Sequence, residues 1–204
     1  MTIFRALESA KTENGNQLSI VEKSVDDLPE GDILIKVNFS SLNYKDALSA
    51  SGAPGVTRNY PHTPGIDAAG VIAETNDNNL KEGDSVIVTG YDLGMDTAGG
   101  FGEYIRVPAS WVIKLPNSLS ERDSMALGTA GLTAGLSIQA LDDYNSNNGF
   151  NGLSTIVTGS TGGVGSIAVM LLSKLDASVT AVTGKDTQKE LLQSLGASEI
   201  VSRE

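Results

Sequence analysis

Glycines 159, 162, 163 and 165 stand between two apolar runs, in the string Ile156-Val157-Thr158-Gly159-Ser160-Thr161-Gly162-Gly163-Val164-Gly165-Ser166-Ile167. A strand, a glycine turn and a helix in that order suit a bound pyrophosphate. Glycines let backbone come close to the phosphates, while the helix start offers unpaired N–H groups and the positive end of a dipole. Thr161, Gly162, Gly163 and Val164 are the residues expected to cradle it. Gly165 is expected to let the helix pack closely on the strand. A P-loop would need Lys after the last glycine, and Ser166 stands there instead. Thr158 to Gly165 also matches a short-chain dehydrogenase turn. Those enzymes need a Tyr and a Lys far downstream, whereas all five tyrosines here precede the turn.

The choice of dinucleotide falls to the end of the next strand. NAD-selecting enzymes place an acid there for the ribose hydroxyls. This chain has Thr183-Gly184-Lys185. A hydroxyl, a backbone amide and a cation suit a 2′-phosphate, so NADP(H) is the expected cofactor, although Asp186 follows closely.

Other chemistries are excluded by residue type. The 204 residues include no Cys and a single His, which removes disulfides, thiolate metal sites and the usual zinc ligand sets. His62, between Pro61 and Pro64, reads as an exposed loop residue. No Gly-x-Ser-x-Gly elbow accompanies it, so a hydrolase triad is not expected. A formal net charge of −11 argues against a nucleic-acid surface. With no long apolar run and no leader-like N-terminus, the expectation is a soluble, cytoplasmic protein without membrane partners.

The elements around these residues differ in pattern along the chain. Up to residue 124, short apolar runs at 33–39, 65–73, 85–88 and 99–107 are punctuated by turns such as Gly31-Asp32 and Lys81-Glu82-Gly83-Asp84. Regular short strands of this kind predict a small barrel. From Ser120 the pattern turns helical, through Met125, Leu127, Leu132, Leu136, Ile138 and Leu141. A polar loop at 145–152 then leads into the βαβ unit: a strand from Leu153, a helix from Ile167 to Leu175 and a strand from Ala177 to Thr183. The predicted domains are 1–124 and 125–204.

Several motifs together carry a family resemblance. Ser40-Ser41-Leu42-Asn43-Tyr44-Lys45-Asp46-Ala47-Leu48, Pro64-Gly65-Ile66-Asp67-Ala68-Ala69-Gly70, Gly128-Thr129-Ala130-Gly131-Leu132-Thr133-Ala134 and the glycine turn occur in that order. In this the chain resembles the zinc-independent medium-chain dehydrogenases/reductases, and most closely the YhdH/YhfP-type quinone oxidoreductases, a group that includes acryloyl-CoA reductase. The resemblance implies an α/β protein: a GroES-like β-barrel domain, then a Rossmann domain. It implies hydride transfer from NADPH to a quinone or an α,β-unsaturated carbonyl, without metal. The alternative is a nucleotide-binding module without turnover, or an inactive fragment of such an enzyme.

The resemblance also implies site residues. Tyr44 would border the nicotinamide, with Asn43 and Asp46 in the same catalytic loop. Asn43 and Tyr44 are suitable donors to an enolate oxygen, and Tyr44 or a water can return the proton. Thr129 would bond the carboxamide or ribose, while Arg203 would approach the adenosine phosphate. Relatives in this family run for half this length again and are commonly homodimers. About three strands of the parallel sheet are therefore expected here instead of six, as in a shortened chain.

Overall fold

The structure, a computed structural model, describes residues Thr2–Arg203. It divides into two compact units, one running to Thr129 and the other starting at Ala130. The predicted limit was residue 124.

The first unit opens with an antiparallel hairpin of β1 (Ile3–Thr12) and β2 (Gly15–Ser24), paired from Ile3 with Ser24 to Thr12 with Gly15. Next come β3 (Ile33–Phe39), α1 (Tyr44–Ser51), β4 (Asp67–Thr75), β5 (Ser85–Thr89), β6 (Tyr104–Val107) and β7 (Val112–Lys114). These five strands form one antiparallel sheet in the order β6-β3-β4-β5-β7. Three of the four strands read from the sequence lie where expected. The fourth is shorter, because Gly99 to Gly102 run as loop and only Tyr104–Val107 pair. Alternate residues of these strands, Ile33 and Ile35, Val86 and Val88, Ile105 and Val107, point to one core with Ile72 and Leu93. That alternation is what a half-buried strand requires.

His62 is not exposed. It is 5% accessible, because its N–H and C=O exchange bonds of 2.9 and 2.8 Å with Ser9 of β1 and draw the segment under the hairpin. Its ring stands edge-on to Tyr60, and its Nε2 is buried without a hydrogen-bond partner among the described residues. Burial pushes the imidazole below its usual range, against the opposing effect of the Gly94 backbone bond.

In the second unit, β8 (Ser154–Thr158), β9 (Ser178–Thr183) and β10 (Glu199–Ser202) form a parallel sheet in the order β10-β9-β8. The crossovers carry α3 (Gly163–Lys174) and α4 (Lys189–Ser194). Val157, Val169, Leu172, Val179, Ala181 and Leu192 form its core. This is the βαβ unit expected from the glycine turn, continued by one more strand. Helix α2 (Glu121–Tyr144) begins in the first unit and is interrupted at Gly128, whose φ of 50° and ψ of −153° are not helical. The helical pattern read from Ser120 onward is thus a helix broken in two. Among the described residues, no helix is long and apolar enough to cross a membrane.

Candidate functional site

The glycine turn is built for close backbone approach. After β8 the chain turns through Gly159 at φ +62° and reaches Gly162, which caps α3 without any side-chain bond. The first helical bond runs from the Ser166 N–H to the Gly162 carbonyl at 2.9 Å. The N–H groups of Gly163, Val164 and Gly165 therefore precede the helical ladder. Gly162, Gly163 and Val164 are exposed, whereas Gly165 is buried. A Cβ at Gly165 would strike the Gly159 carbonyl oxygen and stand 2.8 Å from both Gly159 C and Ser160 Cα. Only glycine allows the helix to sit so close to the turn that feeds it. Ser160, which sequence reasoning left without a role, holds the turn in place. It is fully buried, and its Oγ bonds the carbonyls of Val157 at 2.7 Å and Val182 at 3.1 Å. Thr161 is half-buried beside it.

In the same unit, the tips of β9 and β10 lie together. The Thr183 hydroxyl accepts from the Lys185 N–H at 3.0 Å, and the Thr183 carbonyl accepts from the Arg203 N–H at 3.2 Å. Gly184, Lys185 and Arg203 are exposed there, while Thr183 is buried. The nearby acid, Asp186, has a cation of its own in Lys189 at 3.0 Å. A phosphate arriving at this tip would meet Lys185 and Arg203.

The first unit holds a second constellation. The loop Ser40–Asn43 follows β3, and α1 begins at Tyr44 with Asn43 as its cap residue. Tyr44 is 81% accessible. Its neighbours on the loop are differently engaged. Asp46 is buried, with Oδ2 accepting from the Asn43 N–H at 2.7 Å and Oδ1 from the Ile66 N–H at 2.9 Å. Its carboxyl is raised by burial, against the pull of those bonds, and further by Asp67. That geometry gives Asp46 the work of fixing the start of α1 to the β4 approach. Asn43 donates its side-chain N–H groups to Ser41 Oγ at 2.7 Å and to Asp67 Oδ2 at 3.1 Å. Neither is left for a substrate oxygen.

Asp67, at the start of β4, is the hub. It is fully buried and accepts from Ser41 Oγ, Asn43 Nδ2, the Thr129 N–H at 2.9 Å and the Thr129 hydroxyl at 2.7 Å. The break at Gly128 makes this possible. Its positive φ turns Thr129 onto the carboxylate, and a Cβ there would stand 2.6 Å from Asp67 Oδ2. Asn43 and Thr129 are thus brought to one carboxylate. Sequence reasoning missed Asp67 and Ser41 as members of the site, although both lie in the motifs that carried the resemblance. Among the described residues, no group of His, Cys, Asp and Glu could hold a metal ion.

Known proteins resemble this chain along its length. Residues 29–117 match the alcohol dehydrogenase GroES-like domain. The chain is 43% identical to YhfP of Bacillus subtilis, named provisionally as a quinone oxidoreductase, over 100% of this chain and 61% of that protein. It is 41% identical to the acrylyl-CoA reductase AcuI of Ruegeria pomeroyi, over 99% of this chain and 61% of that one. Among solved structures, the YhdH oxidoreductase of Salmonella enterica in complex with NADP superposes with a TM-score of 0.93 at 40% identity, covering 98% of this chain and 61% of that one. The YhfP structure with NAD bound gives 0.92, with 100% and 61% covered. The chain therefore spans about three fifths of the length of these relatives.

Proposed function

We propose that this chain, a relative of the YhdH/YhfP group of medium-chain reductases with a GroES-like domain ahead of Rossmann strands, serves an NADPH-dependent reduction of a quinone or an α,β-unsaturated carbonyl such as an acryloyl thioester. The observation that carries the reading is the turn at Gly159–Gly165. It combines N–H groups ahead of the helical ladder with a contact that only glycine permits. The residues fit a dinucleotide. Gly162, Gly163 and Val164 would hold the pyrophosphate through their N–H groups, and Thr161 would flank it. Thr183, Gly184, Lys185 and Arg203 would receive the adenosine phosphate.

When bound, the cofactor supplies the hydride. The chain's own residues must orient the reactants, stabilise the oxygen that gains charge and return a proton. Asn43, with its N–H groups committed, serves to shape the loop, and Asp46 fixes the helix that follows it. Tyr44 remains as the exposed hydroxyl beside them and is the assigned donor to the substrate oxygen or its α-carbon. No metal enters this scheme. In the whole protein we place the site in the cytoplasm, in a homodimer.

The test is a fluorescence titration with NADPH, followed by NADPH oxidation on adding acryloyl-CoA or a quinone. Saturable binding with substrate-dependent oxidation is the expected outcome. Binding without oxidation by either substrate would leave a nucleotide-binding module instead.

A further inference from the structure

We propose that β2 is an association edge: two copies of this chain join by pairing β2 with β2, antiparallel about Ser19, into one four-stranded sheet. The partner strand of β2 in the hairpin, β1, bonds on both of its sides. The N–H groups of Leu7 and Ser9 donate to the carbonyls of Phe101 and His62 at 2.9 and 2.8 Å, and the carbonyls of Arg5 and Ser9 accept from Glu103 and His62 at 3.0 and 2.9 Å. The alternate residues Phe4, Ala6, Glu8 and Ala10 therefore bond β2, through Lys23, Val21, Ser19 and Gln17. That leaves the N–H and C=O groups of Asn16, Leu18, Ile20 and Glu22 on the outer edge of β2. Among the described residues, no strand pairs there.

Edge strands are normally shortened, bulged or charged against such pairing. The five-stranded sheet follows that rule: its edge strands β6 and β7 are four and three residues long, and β7 ends on Lys114. By contrast, β2 runs for ten residues in unbroken register with β1, contains no Pro and carries no charge from Gly15 to Val21. Its outward-bonding residues include two large apolar side chains on one face, Leu18 at 49% exposure and Ile20 at 66%. A two-fold axis at Ser19 covers both. It sets Leu18 opposite Ile20 of the second copy and Ile20 opposite Leu18, with Asn16 against Glu22 at the ends, so that no like charges meet. Centring the pair on Leu18 or on Ile20 would instead set an apolar side chain against Asn16 or Glu22. The four facing pairs exchange about eight backbone hydrogen bonds. The strand is complementary to itself, as a two-fold contact requires, and a second copy of this chain is the partner it fits. This gives a specific contact to the homodimer proposed above.

The chain has no Cys, so one introduced thiol reports the register. With the two-fold at Ser19, the two Ser19 Cα atoms stand about 4.5 Å apart, within disulfide range. The two Gln17 Cα atoms lie four residues out of register, roughly 13 Å apart. Both side chains are exposed. Under oxidised glutathione, Ser19→Cys should therefore become a disulfide-linked dimer on a non-reducing gel, while Gln17→Cys stays monomeric. Sedimentation velocity over a concentration series should show the wild-type chain dimerising reversibly. Ile20→Pro should weaken that dimer at least about tenfold, because the ring removes an outward N–H while the bonds of Ser19 and Val21 to β1 remain. A melting temperature near that of wild type shows that its hairpin persists; if it does not, Ile20→Lys, which sets a charge against Leu18 of the second copy, takes its place. Equal cross-linking at positions 17 and 19, or none at 19, overturns the β2 contact even where the wild type is dimeric through another surface. A wild type that stays monomeric throughout the series overturns it as well. Neither measurement uses NADPH, so loss of this contact and loss of the reductase reading are told apart.

Discussion

Replacing Gly165 by Ala tests the dinucleotide reading where the packing is tightest. The new methyl would strike the Gly159 carbonyl oxygen and lie 2.8 Å from Gly159 C and Ser160 Cα, where ordinary contact starts at 3.4 Å. All three obstacles are backbone atoms, so no side chain can swing aside. The turn is also tied down, by the Gly162 N–H to Gly159 carbonyl bond of 2.9 Å and by Ser160 bridging Val157 and Val182. The helix start must therefore retreat by more than about 0.6 Å, since the Gly159 carbonyl oxygen lies closer than the other two atoms, or the turn must open. Either movement lengthens an N–H to phosphate bond from about 2.8 Å to beyond the useful range. Loss of one charge-assisted bond costs about 1.5–3 kcal/mol, or roughly a 10- to 100-fold rise in Kd. Overpacking adds about 1–3 kcal/mol of destabilisation. Fluorescence titration with NADPH gives the first quantity and a thermal melt the second. Val164→Ala is the control, since it keeps the N–H and trims an exposed side chain. Its Kd should stay within about threefold of wild type, because backbone supplies the binding. A folded Gly165→Ala protein with wild-type Kd would refute the argument, whatever its melting temperature.

Other expectations concern the remaining parts of the two units. Lys185→Ala should weaken NADPH about tenfold and NADH less than twofold, since only NADPH brings a 2′-phosphate; equal losses in paired titrations would remove the 2′-phosphate assignment. Asp46→Ala leaves the N–H groups of Asn43 and Ile66 without their acceptor. At about 1–3 kcal/mol for each orphaned group, the melting temperature should fall by roughly 5–15 °C, read by calorimetry. His62 gives the pH dependence. Its folded value is depressed, so between that value and the unfolded value of about 6.5 the unfolded chain holds more protons. Stability should be full above pH ~6.5 and fall at up to about 1.4 kcal/mol per pH unit as the solution is acidified, levelling off below the folded value. Denaturant midpoints from pH 7.5 to 5 measure this slope, and a His62→Gln protein with the same slope would show that another group is responsible.

What could be read from sequence follows from how local each signal is. The turn after β8 was legible because strand, glycines and helix are contiguous, and each needs the next. Strands β3, β4 and β5 were legible from alternation between turns. The Asp67 hub was not, because Ser41, Asn43, Asp67 and Thr129 are ordinary residues one at a time; only the fold brings them to one carboxylate. His62 misled for a related reason. Its neighbouring prolines mark a loop correctly, but burial comes from Ser9, more than fifty positions earlier in the chain. Gly128 in a helical pattern reads as a tolerated small residue, and its left-handed backbone shows only when Thr129 is seen turned onto Asp67.

Hydroxyl and N–H groups can satisfy the lone pairs of a buried carboxylate, yet they leave its charge in place. Asp67 is in that condition, since its hydrogen-bond partners are all neutral. At a separation of about 6 Å and an effective dielectric constant near 20, a unit charge interacts with another by roughly 3 kcal/mol. The field around Asp67 thus favours a group that becomes more positive and opposes one that becomes more negative.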